Sequence, residues 1–139
     1  MSNRRITNLI AAGVIGAAGL GTLAVLPAAH AGAATRSGSV NINVKCSGSS
    51  VANLQVQRED TGKLGVDFGV DMARHKAGVP WKVTLSDNGS VFVNTTVRTI
   101  SDGSFSVSPS INPKAGTNTI VGKAVNLVTH ETCTIKGSL

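Results

Sequence analysis

The 139-residue chain is poor in aromatic residues and has no tyrosine at all. Proteins that bind sugars or single-stranded nucleic acids on open surfaces commonly stack the ligand on exposed aromatic rings. Trp81, Phe68 and Phe105 fall in apolar rows that we predict to face inward, which leaves Phe92 as the one candidate for such a platform. The sequence therefore argues against an aromatic-platform lectin and against a nucleic-acid partner.

The chain also lacks the motifs of common enzyme classes. It contains no Gly-x-Ser-x-Gly nucleophile elbow, no phosphate-cradling glycine loop and no cluster of metal ligands. Asp67, Asp71 and His75 recur at four-residue spacing, but the alternation around the two aspartates indicates a strand, on which outward carboxylates are usually solvated. We predict that the protein is not an enzyme and that it has neither a metal nor a cofactor.

The N-terminal segment has the order of a secretory signal peptide. An apolar run rich in Ala and Gly follows two arginines, and Pro27 and a small-x-small sequence come after it. The pattern predicts a signal peptide over residues 1–31, cleaved after Ala31 or after Ala33 or Ala34. A membrane anchor is the alternative, because the run is long enough to span a bilayer. General secretion is favoured over the twin-arginine route, and we expect a secreted, extracellular protein.

Cysteine is scarce, since Cys46 and Cys133 are the only two. A metal pair or a redox site is the alternative use, but no C-x-x-C motif is present and two thiols alone make a poor zinc site. Export would place both residues in an oxidising compartment, so we predict a disulfide between them. Closing so long a loop stabilises a fold by about 4 to 5 kcal/mol in the chain-entropy model.

Removing residues 1–31 leaves 108 residues, of which eleven are basic and seven acidic. One domain over residues 32–139 fits this length. The mild positive charge is compatible with an anionic partner, either a cell-wall polymer or a protein. The densest basic cluster consists of Arg74, His75 and Lys76, with Lys82 nearby. It is either the contact for such a partner or a solvated loop. After signal cleavage we expect no membrane contact.

Alternating apolar and polar residues indicate a chain built of strands. The clearest rows lie at residues 64–72 and 81–85, which we predict to be neighbouring strands beneath the core. Asn88-Gly89 predicts a hairpin turn after the second row. With the rows near both cysteines and a short one at residues 54–56, the pattern predicts an antiparallel sandwich of seven or eight strands.

Several segments resemble bacterial immunoglobulin-like domains in their order along the chain. They are residues 78–85, Asn88-Gly89, and residues 102–105, 116–120 and 123–126. The resemblance covers residues 64–139 and implies an immunoglobulin-like β-sandwich.

The cysteine spacing departs from the immunoglobulin pattern. Cys46 lies 35 residues before Trp81, whereas immunoglobulin domains proper place their first cysteine about a dozen residues before the tryptophan. We therefore expect the bridge to pin the first and last strands side by side, not to take the usual inter-sheet position.

In outline the chain also resembles small secreted single-domain proteins of actinobacteria, a resemblance that implies no activity. The sequence predicts an exported, non-catalytic binding or structural module. The alternative is a small secreted inhibitor or accessory protein of an extracellular hydrolase, with the exposed loop at residues 73–80 inserted into the enzyme.

Overall fold

The computed structural model describes residues 38–139, and the predicted signal peptide and its cleavage site lie outside these residues. All regular elements of the described part are β-strands. In chain order they are β1 (Ser39–Lys45), β2 (Val51–Arg58), β3 (Leu64–Asp71), β4 (Pro80–Asp87), β5 (Ser90–Arg98), β6 (Ser104–Val107), β7 (Ser110–Ile111), β8 (Thr119–Asn126) and β9 (Thr132–Ser138).

The strands form two antiparallel sheets that pack face to face. One sheet has five strands in the order β1-β2-β3-β6, with β7 also paired to β3, and the other has four in the order β5-β4-β8-β9. The all-β sandwich and its antiparallel pairing are as predicted. The structure has nine strands where seven or eight were predicted. The additional one is the two-residue β7, which pairs with β3 beyond β6, after the break at Ser108 and Pro109.

The prediction that residues 64–72 and 81–85 form neighbouring strands is wrong. They are β3 and β4, which belong to different sheets. The loop at residues 72–79 carries the chain from one sheet to the other. Alternation correctly identified the buried row of each strand, but an apolar row packs equally well beside its sequence neighbour or across the core from it.

The core is centred on three aromatic side chains from both sheets. Trp81 and Phe68 are fully buried and Phe105 is 6% exposed. Phe105 lies between the other two, with ring centroids 5.8 Å from Trp81 and 6.4 Å from Phe68. The inward phase predicted for all three residues is therefore confirmed.

The predicted disulfide between Cys46 and Cys133 is present. Cys46 follows β1, at one edge of the five-stranded sheet, and Cys133 lies in β9, at one edge of the four-stranded sheet. We expected the first and last strands to lie side by side. They are close in space, but they belong to different sheets and are not hydrogen-bonded to each other. The bridge joins the two sheets, and it does so at their edge strands instead of through the centre of the sandwich.

The expected outward position of Phe92 is wrong. The pairing of β4 with β5 shifts register between Leu85 and Ser86, so that Leu85 pairs with Val93 and Ser86 with Val91. Phe92 is the extra residue of this β-bulge, which changes the facing of the strand. Val91 is consequently 58% exposed, and Phe92 is half-buried against the core.

Candidate functional site

The structure divides the four residues predicted to contact an anionic partner between two surfaces. Arg74 lines a cleft of about 410 Å³ at the disulfide end of the sandwich. His75 and Lys76 follow it in the loop between β3 and β4, where the Lys76 carbonyl accepts a hydrogen bond from Thr99 Oγ1. Lys82 lies apart from them, exposed on the outer face of the four-stranded sheet.

His75 is held against the turn between β5 and β6. Its Nδ1 lies 2.7 Å from the carbonyl oxygen of Asp102, and its backbone is in the left-handed region with φ of 27°. The Ser104 hydroxyl and backbone N–H both donate to Asp102 Oδ1. These hydrogen bonds lower the pKa of Asp102 below its ordinary value, and the nearby His75 contributes a smaller lowering. The contacts of His75 thus fix the loop to its neighbouring turn.

The cleft beside Arg74 is built around a carboxylate that is already engaged. Glu131 Oε1 accepts from the Ser50 backbone N–H at 2.8 Å, and Oε2 accepts from the Ser50 hydroxyl at 2.9 Å. His130 also lines the cleft. Both Glu131 oxygens are thus used to hold the turn at residues 47–50 in place, so we assign this carboxylate a structural role. No group of three or more metal-ligating side chains occurs within residues 38–139.

The outer face of the four-stranded sheet carries a more ordered arrangement of cations. Arg98 in β5 pairs with Pro80 in β4, and Lys82 lies two residues further along β4. Thr84, two residues further again, pairs with Lys123 in β8. Alternation places Arg98, Lys82 and Lys123 on the same outward side, and all three are exposed.

The progression continues onto the last strand of the sheet. Lys123 pairs with Thr134 of β9, and Lys136, two residues on, pairs with Val121. Val121 in turn pairs with Ser86 of β4. Each strand therefore contributes one exposed cation, displaced by two residues from the cation on the strand before. We call this set the cationic diagonal: Arg98, Lys82, Lys123 and Lys136.

Hydroxyl groups flank the cationic diagonal at the same positions of the sheet. Thr96 is the cross-strand partner of Lys82, and Lys123 has Thr84 on one side and Thr134 on the other. Directly paired residues have Cβ atoms about 4.5 to 5.5 Å apart. The lysines and threonines can therefore present ammonium and hydroxyl donors to one oxyanion.

No acidic side chain lies on this face, since all seven acidic residues fall within the described part of the chain and lie elsewhere. Two are on the outer face of the five-stranded sheet, one is buried, and four are in turns and loops. They are Asp67 and Asp71, Asp87, and Glu59, Asp60, Asp102 and Glu131 respectively. The positive potential of the cationic diagonal is consequently not offset by neighbouring acids on the same surface.

The opposite face of the sandwich has a different character. Amide side chains cover the outer side of β1 and β2, where Asn53 Nδ2 donates to Asn41 Oδ1 at 3.0 Å and to Asn43 Oδ1 at 2.9 Å. Asp67 and Asp71 follow on β3. The two faces of the protein thus differ in charge, one basic and the other amide-rich and acidic.

Comparisons of the chain with protein-family models, with characterised proteins and with solved structures give no significant match. Residues 38–139 include no helix long and apolar enough to cross a membrane. Sequence reasoning found Lys82 but missed Arg98, Lys123 and Lys136 as its companions. The available signal was their outward phase, because each alternates with buried neighbours, but their alignment depends on register between strands.

Proposed function

We propose that this protein is an exported, non-catalytic module of immunoglobulin-like type that binds a polyanionic polymer outside the cell. The cationic diagonal carries the proposal, because four exposed cations lie on one face of the sheet without an acidic side chain among them. Export is supported by the N-terminal sequence pattern and is consistent with the disulfide between Cys46 and Cys133.

A row of cations that crosses a whole sheet suits an extended ligand better than a small one. Lys82, Lys123 and Lys136 are exposed on strands of the sheet. Arg98 lies on the edge strand β5, where its Nη1 donates to the Gly78 carbonyl at 2.9 Å. A small anion would meet one or two cations and remain mostly hydrated. A polymer can contact all four at once, and multiple contacts raise the effective affinity of weak individual ones.

The test compares two variants of equal charge. In the first, Lys82, Lys123 and Lys136 are all replaced by Gln. In the second, three cations away from this face, Lys45, Arg58 and Lys63, are replaced by Gln as a matched control. Retention on cell-wall material and on immobilised polyanions is measured for both and for the unaltered protein.

We expect the first variant to lose retention and the second to keep it. If four contacts form, binding should weaken by roughly 50-fold between 50 and 200 mM salt, as for a single-stranded polyanion releasing its counterions. Equal losses in both variants would show that net charge alone drives retention. Unchanged retention in the first variant would place the contact elsewhere.

An apolar tip held by side-chain hydrogen bonds supports the second candidate, a secreted inhibitor or accessory protein of a hydrolase. Leu127 and Val128, in the turn between β8 and β9, are 47% and 63% exposed. Buried Asn126 holds this turn, because its Oδ1 accepts from the backbone N–H groups of Val128 and Thr129 at 2.9 and 3.0 Å. This tip fits an inserted segment better than the predicted loop at residues 73–80. Stoichiometric inhibition of a secreted hydrolase, lost on Val128→Asp, would establish this function.

A further inference from the structure

The spacing of the cationic diagonal defines a repeat length for its ligand. Adjacent strands are about 4.8 Å apart and two residues along a strand span about 6.8 Å, so one step of the diagonal is about 8 Å. Three such steps extend across the whole four-stranded sheet, a path of roughly 25 Å by the same geometry. A linear polyanion that follows this path meets one cation per step.

We infer that the ligand is a linear polyol phosphate polymer, in which three-carbon units are joined by phosphodiesters; this inference rests on the polyanion binding proposed above. Its repeat contains six backbone bonds. Three bonds of an extended polypeptide span at most about 3.3 to 3.6 Å, so six span at most about 7 Å. This is about 1 Å less than one step of the diagonal, a difference that the long lysine side chains can cover. Successive phosphates therefore fall near successive cations.

Other polyanions fit this surface less well. A single nucleic-acid strand has the same six-bond repeat, so its phosphate spacing also matches the diagonal. Its bases would find no exposed ring to stack on, however, because the four aromatic side chains of the protein are buried or half-buried. Inorganic polyphosphate is too densely charged, because only two bonds separate its phosphorus atoms. It can bind through charge, but it gains nothing from the positions of the individual cations.

The surface between the cations also suits a polyol phosphate. Thr84, Thr96 and Thr134 lie beside the lysines and can donate to phosphate oxygens or to free hydroxyls of the polyol. Val121 and Val125 flank Lys123 on the outer side of β8 and are half-buried. They provide aliphatic contacts for the carbon units that separate the phosphates.

The test moves a charge without changing the number of charges. In the double variant Lys136→Thr and Thr132→Lys, the last cation shifts four residues along β9, about 13 Å, and the diagonal is broken. A second variant, Lys82→Thr with Thr96→Lys, moves another cation from β4 to β5. It tests the same prediction if the first variant does not fold. Thermal denaturation confirms folding of each protein.

The probes are a glycerol phosphate tetramer and inorganic tetraphosphate, with affinities measured by calorimetry at one low salt concentration. We expect relocation to weaken tetramer binding by about fivefold, the ratio for one cation beside an anionic surface, and to leave tetraphosphate binding nearly unchanged. If relocation affects both probes alike or neither, the inferred repeat is wrong although polyanion binding stands. If neither probe nor any immobilised polyanion binds the unaltered protein, the proposed function itself fails.

Discussion

Gly122 offers a sharp test of how closely the two sheets pack. It lies on the inner side of β8, and a Cβ atom added there would be 2.7 and 2.9 Å from two ring carbons of Phe68 and 3.1 Å from Ile135 Cγ2. Ordinary contacts begin at 3.4 Å, so the ring must move by about 0.7 Å. Phe68 is fully buried and packs edge-on against Phe105, which leaves it little room to move.

We therefore expect Gly122→Ala to destabilise the domain by about 2 to 3 kcal/mol, in the upper part of the range for overpacked cores. For a domain of this size the melting temperature should fall by about 10 to 20 °C. Urea denaturation followed by tryptophan fluorescence gives the free energy of unfolding. The fluorescence reports on Trp81, which lies in the same core.

Gly137→Ala is the matched control within the same sheet. The three atoms nearest to its added Cβ would be aliphatic side-chain ends, those of Ile42, Leu54 and Val40, each at 3.3 Å. Small shifts relieve such contacts, so we expect Gly137→Ala to lower the free energy of unfolding by less than about 1 kcal/mol.

A double-mutant cycle tests the contact with Phe68 directly. Added to the Gly122→Ala variant, Phe68→Leu should recover part of the lost stability, with a coupling energy of at least about 1 kcal/mol. Equal costs for the two glycine substitutions, or no coupling with residue 68, would refute this account of the packing.

Three further predictions concern the disulfide, the tryptophan and a turn. Replacing Cys46 and Cys133 by Ser should lower the free energy of unfolding by about 4 to 5 kcal/mol, measured by urea denaturation, and a loss below about 1 kcal/mol would contradict the loop-closure argument. Trp81→Ala should cost about 3 to 5 kcal/mol in the same assay, and a near-neutral result would contradict its full burial. Asp102→Asn should lower stability at neutral pH. The pKa of Asp102 is depressed in the folded state, so its contribution is present above the ordinary value of 3.8 and disappears as pH falls through the lower folded value. A melting-temperature difference that persists at pH 2 would count against this.

Much of the fold could be predicted from the period of two in the sequence. The inward rows of β1, β3 and β4 follow from alternation, and the turn at Asn88-Gly89 follows from backbone preference, with both residues at positive φ in the structure. The pairing of Cys46 with Cys133 follows from their number. The rows and the turn depend only on local sequence, and the cysteine pairing depends only on composition.

The features that sequence could not supply depend on relations between distant strands. Alternation does not state which sheet a strand joins, so it cannot separate β3 from β4. It does not report a bulge, so it predicts an outward Phe92. The cationic diagonal has the same origin, because Lys123 and Lys136 align with Lys82 only through the register of β4, β8 and β9.

The position of the disulfide also determines what proteolysis can do to this protein. Every strand from β2 to β8 lies between the two half-cystines, which are separated by 87 residues. A protease that cuts any single loop in this span leaves both fragments covalently joined through Cys46 and Cys133. The fragments stay at the high effective concentration of a single molecule, so their strands can pair again. In a medium that contains proteases, one cut nicks the sandwich without dissociating it.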